Sequence, residues 1–259
     1  MDLGIKGKKA IVCASSRGLG LGCAHALARN GVDVVINGRD RDALDNAAKQ
    51  IQTDCDVQVT PVIADICTAD GQAAVLAACP APDILINNNG GPPFRDFREL
   101  DRPAMIDGVI MNMVTPIELI TAVIDGMAAR GFGRIVNITS MSVKMPIEGL
   151  DLSSGARAGL TAFLAGVAPQ VAQHDVTINN LLPGLFDTDR LRGSTQRAAE
   201  QTGRDEADIA AERASAVPAG RFGNPVEFGE TCAFLCSANA GYITSQNLLI
   251  DGGRYPGTF

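Results

Sequence analysis

Residues 8–28, KKAIVCASSRGLGLGCAHALA, constrain this chain more than any other stretch. An apolar run from Ala10 to Cys13 breaks into a turn rich in serine and glycine. Helical spacing then resumes with Leu19, Cys23, Ala26 and Leu27. The run reads as a buried parallel strand, and the later positions as one face of a helix. A turn between two such elements leaves backbone N–H groups and a helix N-terminus unpaired above the strand, and both favour an anion such as a dinucleotide pyrophosphate. Ser15, Ser16, Arg17, Gly18, Leu19 and Gly20 are therefore candidates to cradle one. On its own the glycine spacing fits an ordinary helix entry as well, so the rest of the chain has to decide.

The rest repeats the alternation. Strands are predicted at residues 32–36, 57–63, 83–86, 133–139, 175–181 and 247–250, with helices at 42–52, 69–78 and 101–130 and at the stretch opened by Pro225. Pro116 is expected to bend the long helix. This pattern predicts a single α/β domain built on a doubly wound parallel sheet of about seven strands with helices on both faces. A chain of 259 residues, 46% of them hydrophobic, suffices for one large core.

Ligands of such sheets collect at the carboxyl ends of the strands. After the second strand comes Asn37-Gly38-Arg39-Asp40, where an adenosine ribose is read. An acidic side chain would take the 2′-hydroxyl, whereas Arg39 together with Arg17 favours a 2′-phosphate. The expected cofactor is thus NADP(H), with NAD(H) possible. Asp65 and Ile66 follow the third strand, and Asp65 either accepts from the adenine amino group or caps the next helix. The fourth strand ends in Asn87-Asn88-Asn89-Gly90-Gly91-Pro92-Pro93, whose amides, Asn87 and Gly90 among them, can brace the cofactor or the loop above it.

A net charge of −7 without a basic run argues against nucleic acid. Seven cysteines scattered through apolar runs suit reduced thiols and a cytoplasmic setting, and Cys232 and Cys236 suit packing better than a metal. There is no signal-peptide pattern, and no apolar run approaches the ~20 residues of a membrane span. No metal site and no membrane association are expected.

From about Gly7 to Gly253 the chain resembles the short-chain dehydrogenase/reductase family. Four features carry the resemblance, in the family's order: the turn Ser15 to Gly20, Asn87-Asn88-Asn89-Gly90, Pro183-Gly184…Thr188, and Gly220-Arg221-Phe222-Gly223…Asp251-Gly252-Gly253. Ala14 replaces the first glycine of the family turn and Asn89 its usual alanine. The added methyl of Ala14 is harmless provided the backbone there avoids positive φ. The resemblance implies a Rossmann fold and a small-molecule carbonyl or alcohol substrate. It implies cofactor contacts from Pro183, Gly184 and Thr188, and a substrate lid at about 185–215. It also implies a homotetramer or homodimer, assembled through the 101–130 helix and the region of Tyr242, Leu248 and Ile250. Asn112 matches the asparagine that props a proton-relaying water, and Ser140 the serine that bonds the substrate carbonyl, with Ser142 as a fallback.

Where the family carries Tyr-x-x-x-Lys, this chain has Ser153-Ser154-Gly155-Ala156-Arg157. In that respect it resembles a divergent, 3-oxoacyl-ACP reductase-like subgroup with Ser-x-x-x-Arg. In the resembled mechanism the tyrosine donates a proton as hydride reaches the carbonyl. Arg157 can hold ribose hydroxyls, but a pKa above ~12 makes it a poor acid, and Ser153 is an aliphatic alcohol. General acid catalysis is worth about 10²–10⁴-fold, so the substitution bears on turnover and leaves cofactor binding intact. Three readings stay open. In the first, the expected one, hydride transfer persists, with Ser140 and Ser153 orienting the oxygen and the proton coming through water, Lys144 or the substrate. In the second the pocket hosts hydration or carbon–carbon cleavage, and in the third the chain binds a dinucleotide without catalysis. Arg95 and Arg98 are candidates for the pocket rim, suited to a substrate carboxylate or phosphate. His25 and His174 read as structural.

Overall fold

The computed structural model describes residues 1–92 and 94–258, so Pro93 and Phe259 lie outside it. Seven strands, β1 (Lys9–Val12), β2 (Asp33–Gly38), β3 (Val59–Ile63), β4 (Ile84–Asn87), β5 (Gly133–Ile138), β6 (Val176–Pro183) and β7 (Asn247–Ile250), form one sheet in the order β3-β2-β1-β4-β5-β6-β7. Every pairing is parallel. The order reverses between β1 and β4, which opens a crevice over their carboxyl ends.

Successive strand residues point to opposite faces, and both faces are filled. Ala10, Val12, Ile84 and Ile86 pack with α1 (Gly18–Arg29), α2 (Arg41–Asp54) and α9 (Pro225–Leu235). Ile11, Cys13 and Leu85 pack with α3 (Ala69–Ala78), α5 (Thr115–Arg130) and α6 (Asp151–Val171). This two-sided burial explains why the strands read as continuous apolar runs. The predicted bounds of α3 and β7 coincide with the observed ones, and the other strands shift by no more than two residues.

The helix expected over 101–130 consists of α4 (Arg102–Val109), a π-turn at Ile110–Val114 and α5. Pro116 lacks the N–H that would bond the Asn112 carbonyl, and its ring crowds that carbonyl. The chain therefore widens into the π-turn just before it. Contrary to expectation, one helical stretch, residues 102–130, is long and apolar enough by length and composition to cross a membrane. Leu119, Ile120, Val123 and Met127 bury its inner face in the core, while Met105, Ile106 and Val109 are exposed. Two further helices, α7 (Asp189–Thr202) and α8 (Glu206–Ser215), make up most of residues 185–215.

Two details of the first turn differ from expectation. Ala14 sits at φ +45, so the condition under which its methyl would be harmless is not met. A non-glycine residue in that region carries on the order of 1–3 kcal/mol of strain and persists only when its surroundings hold it. Here the Ala14 N–H donates to Asn37 Oδ1 at 3.4 Å, and Asn88 Nδ2 donates to the Ala14 carbonyl at 3.0 Å. Gly22, third in the glycine series, faces α9 rather than a ligand. A Cβ on Gly22 would lie 2.4 Å from the Pro225 carbonyl oxygen, and one on Gly229 would lie 2.2 Å from the Gly22 oxygen. The pair lets α1 and α9 cross at backbone contact.

Candidate active site

At one end of the crevice α1 begins at Gly18 with no side chain capping it and no acid in its first turn. Its leading amides are left for an outside acceptor, and the helix dipole adds positive character there. Gly20 must lack a side chain, since a Cβ would lie 2.5 Å from the Ala14 oxygen and 2.7 Å from Asn88 Nδ2. Ser15 is buried, and its hydroxyl donates its one hydrogen to the Val12 carbonyl at 2.6 Å while accepting from Asn37 N at 3.0 Å. It thus braces the turn and offers no hydrogen to a phosphate. Asn37 does more of this bracing than its sequence context suggested, because its Nδ2 also reaches the carbonyls of Val62 and Ala64.

Both arginines proposed for a 2′-phosphate stand beside acids. Arg17 bonds Asp40 at 2.7 Å and lies 4.0 Å from Asp189, and Arg39 lies 3.7 Å from Asp65. The carboxyl of Asp40 is held below its usual pKa range, chiefly by the Ala43 N–H that it caps and further by Arg17. Ser16, Arg17, Asp40, Ala43 and Asp189 line one open groove. Thr68, not Asp65, caps α3, and Asp65 Oδ1 instead accepts from Cys67 N at 3.0 Å.

Over the other half of the crevice, register creates a feature that no local pattern announces. Asn87 pairs with Asn137, Asn137 with Asn180, and Asn180 with Asn247, on four adjacent strands. Their amides form a ladder in which each Nδ2 donates to the next Oδ1, at 2.9, 3.1 and 2.8 Å. The carbonyls of Pro116 and Asn179, which also accept from the Nδ2 atoms of Asn87 and Asn137, fix its direction. The ladder ends at Asn87 Oδ1, which is buried beside a small cavity also lined by Ile66, Asn112, Thr115 and Arg157. Asn112 Oδ1 and Thr115 Oγ1 share the same condition: each is buried without a partner among the described residues. Asn112 Nδ2 bonds back to the Gly108 carbonyl at 3.3 Å.

Arg157, 8% exposed, donates through Nε to Ser153 Oγ at 3.2 Å and through Nη1 to the Ile138 carbonyl at 2.6 Å. Burial first, and then the nearby charge of Arg190, push its pKa down to about 10. Ser140 follows Ile138 by two residues, and its hydroxyl accepts from Ser142 N at 3.1 Å, so its hydrogen remains available to donate. Ser142 is buried. Pro183 ends β6, Gly184 N bonds the Ile250 carbonyl at 2.8 Å, and Thr188 caps α7. A Cβ on Gly18 would lie 3.6 Å from Thr188 Cγ2, whereas one on Gly90 would meet nothing within 4 Å.

Asn87, Asn112, Ile66 and Arg157 therefore meet at one cavity, Ser153 joins them through Arg157, and Gly18 and Thr188 meet at the turn. Arg39 stands apart on the exposed edge with Asp65. Lys144 lies 5.8 Å from the ring centroid of Tyr255. The ladder residues Asn137, Asn180 and Asn247 and the cavity residue Thr115 were not anticipated; only the strand register could have revealed the first three.

A doubly wound sheet that reverses beside a glycine turn, with polar side chains gathered over the neighbouring strand ends, defines a dinucleotide-binding α/β protein. The chain belongs to the short-chain dehydrogenase/reductase family: the family model described as enoyl-(acyl carrier protein) reductase matches residues 13–254. Gluconate 5-dehydrogenase of Gluconobacter oxydans is 30% identical over 96% of this chain and 95% of its own. The 3-oxoacyl-[acyl-carrier-protein] reductase of Vibrio cholerae is 29% identical over 98% and 99%. The structure of L-sorbose reductase from Gluconobacter frateurii, complexed with NADPH and L-sorbose, superposes with a TM-score of 0.93. It is 28% identical and covers 99% of this chain and 100% of that one.

Proposed function

We propose that the protein is an NADP(H)-dependent oxidoreductase that moves hydride between the nicotinamide and a carbonyl or secondary alcohol of a small molecule. The observation that carries the reading is the polar set Ser140, Ser153 and Arg157 at the end of β5, across the crevice from an uncapped helix N-terminus. The cofactor fits the residues present. Gly20 lets the turn close against the Ala14 carbonyl and the Asn88 amide, and among the described residues no side chain caps the first amides of α1, which leaves them for a diphosphate. NADPH-bound relatives favour the phosphorylated form, and so do Arg17 and Arg39, although Asp40 must yield Arg17 to the 2′-phosphate.

Backbone N–H groups of residues 18–20 would hold the diphosphate, with Thr188 beside them, and Asp65 and Ile66 would border the adenine. When bound, NADPH supplies the hydride. Ser140 donates a hydrogen bond to the substrate oxygen, and Ser153 and Arg157 orient that oxygen and stabilise the negative charge it gathers. Arg157 holds its proton at neutral pH, so the proton that completes the alcohol reaches the oxygen through a hydroxyl or water at the cavity lined by Asn112 and Thr115. Lys144 remains a second source.

Residues 185–215 would act as the substrate lid, since α7 and α8 stand largely exposed over the crevice. Exposed Met105, Ile106, Val109 and Phe163 on one side, and Tyr242 and Leu248 on another, support a homotetramer or homodimer. Seven free thiols, five of them buried, suit the cytoplasm. The test is calorimetry with NADPH and NADP⁺, followed by NADPH oxidation across a carbonyl panel. Saturable binding with turnover that falls in Ser153→Ala and Arg157→Ala is expected; binding with no turnover on any carbonyl rejects the reading.

A further inference from the structure

Resting on that reading, we propose that the substrate carries a carboxylate near its reacting carbon and that Arg190 receives it. Arg190 stands in the first turn of α7 and reaches across the crevice. Its Nη1 donates to the Gly91 carbonyl and its Nη2 to the Pro92 carbonyl, each at 3.3 Å. These bonds are long for a guanidinium, and both acceptors are neutral, so a charged acceptor displaces them readily.

Among the described residues Arg190 has no ion pair, and neither has Arg157. The acids of the same loop are engaged elsewhere: Asp187 and Asp189 hold Arg192, and Asp189 also approaches Arg17. Arg197 lies two turns further along α7 and is likewise unpaired. Arg190 stands within electrostatic reach of both Arg157 and Arg197. Burial and then Arg197 lower the pKa of Arg190, and burial and then Arg190 lower that of Arg157. The acids of this loop thus pair with Arg192 and Arg17 and leave these like charges without a counter-charge among the described residues. An arriving carboxylate relieves that repulsion and matches the fork of a guanidinium, which neutral sugars and esters do not. Of the rim arginines, Arg98 suits the role less well, because it is bound to Asp96 and stacked 4.5 Å from the Phe97 ring centroid.

Gly91 separates anchoring from mere bracing. A Cβ there would lie 2.7 Å from Arg190 Nη2, the mobile end of the side chain, so Gly91→Ala unhooks Arg190 from the loop and leaves its charge in place. NADPH-loaded protein is titrated with acetoacetate and with methyl acetoacetate, following nicotinamide fluorescence, and both are then assayed for NADPH oxidation. The acid is expected to bind at least about tenfold more tightly than the ester, the range of one charged hydrogen bond. Arg190→Met should bring the two within about twofold with NADPH affinity unchanged, Arg190→Lys should keep part of the preference, and Gly91→Ala should keep all of it. Equal binding by the wild type, or a preference that survives Arg190→Met, overturns the proposal. So does an Arg190→Met whose loss lies in NADPH affinity, since that assigns Arg190 to the cofactor diphosphate. Acid-selective binding without NADPH oxidation leaves the carboxylate site standing and removes the reductase reading instead.

Discussion

Arg157 Nε lies 3.2 Å from Ser153 Oγ, one turn back along α6, and among the described residues the only other acceptor of this buried guanidinium is the Ile138 carbonyl. A charge buried without a counter-charge costs stability, and function is the reason for keeping one. Arg157→Met should therefore separate activity from stability. Turnover should fall by about 10²-fold or more, the scale of losing a charged group at a developing oxyanion. Stability should change by no more than about 1–2 kcal/mol, because relief of the desolvated charge offsets the two lost hydrogen bonds; breaking a true buried ion pair would cost about 3–5 kcal/mol. Urea denaturation and steady-state kinetics on the same preparation decide it.

The same burial sets a pH dependence. With its pKa pushed down from the usual guanidinium range to about 10, Arg157 loses its proton in the folded chain before it does in the unfolded one. The unfolded chain binds more protons between those values, so this group makes stability rise with pH across that window. Activity that needs the cation moves the other way, and kcat/KM should fall as pH rises through about 10. The Arg157→Met profile should lack that limb. An identical alkaline limb in both proteins would assign it to another group.

Ala14 offers a stabilising change. At φ +45 it occupies a region that costs an L-residue roughly 1–2 kcal/mol, and a glycine there carries no such penalty. Glycine gives some of this back through unfolded-chain entropy. Ala14→Gly should stabilise the protein by about 0.5–1 kcal/mol, raising Tm by roughly 1–4 °C for a domain of this size. NADPH affinity should stay unchanged, because the Asn37 and Asn88 bonds run to the Ala14 backbone. A lowered Tm would show that the methyl packs usefully.

How far the sequence carried this picture depended on the range of the interaction involved. Strands such as Ile84–Asn87 and helices such as Ala69–Ala78 are written in local periodicity and caps, and they lay where expected. The glycine turn, Ser140 and the Ser153–Arg157 pair were legible as motifs. Gly22 was not, because its purpose is set by Gly229, far along the chain. The strain at Ala14 was hidden because a dihedral is not written in residue type. The π-turn before Pro116 could be foreseen only as a bend, since the ring states which hydrogen bond is lost and not how the helix absorbs it.

The asparagine ladder is the extreme case of that limit and gives the last prediction. Asn137 is its middle rung, buried, accepting from Asn87 and donating to Asn180. Asn137→Leu keeps the branched shape of the side chain but strands the Asn87 donor and the Asn180 acceptor inside the sheet. Each stranded group costs about 1–3 kcal/mol. A loss of about 2–5 kcal/mol is expected, measured by urea denaturation. Replacing Asn247, the exposed terminal rung, with leucine strands only the Asn180 donor that faces it and should cost about 1 kcal/mol, the low end of the same range. The order of the two losses is the decisive observation. Equal losses would mean that burial does not set the cost of a stranded amide, whereas a large central and small terminal loss follows from two groups stranded inside the sheet against one facing its exposed edge.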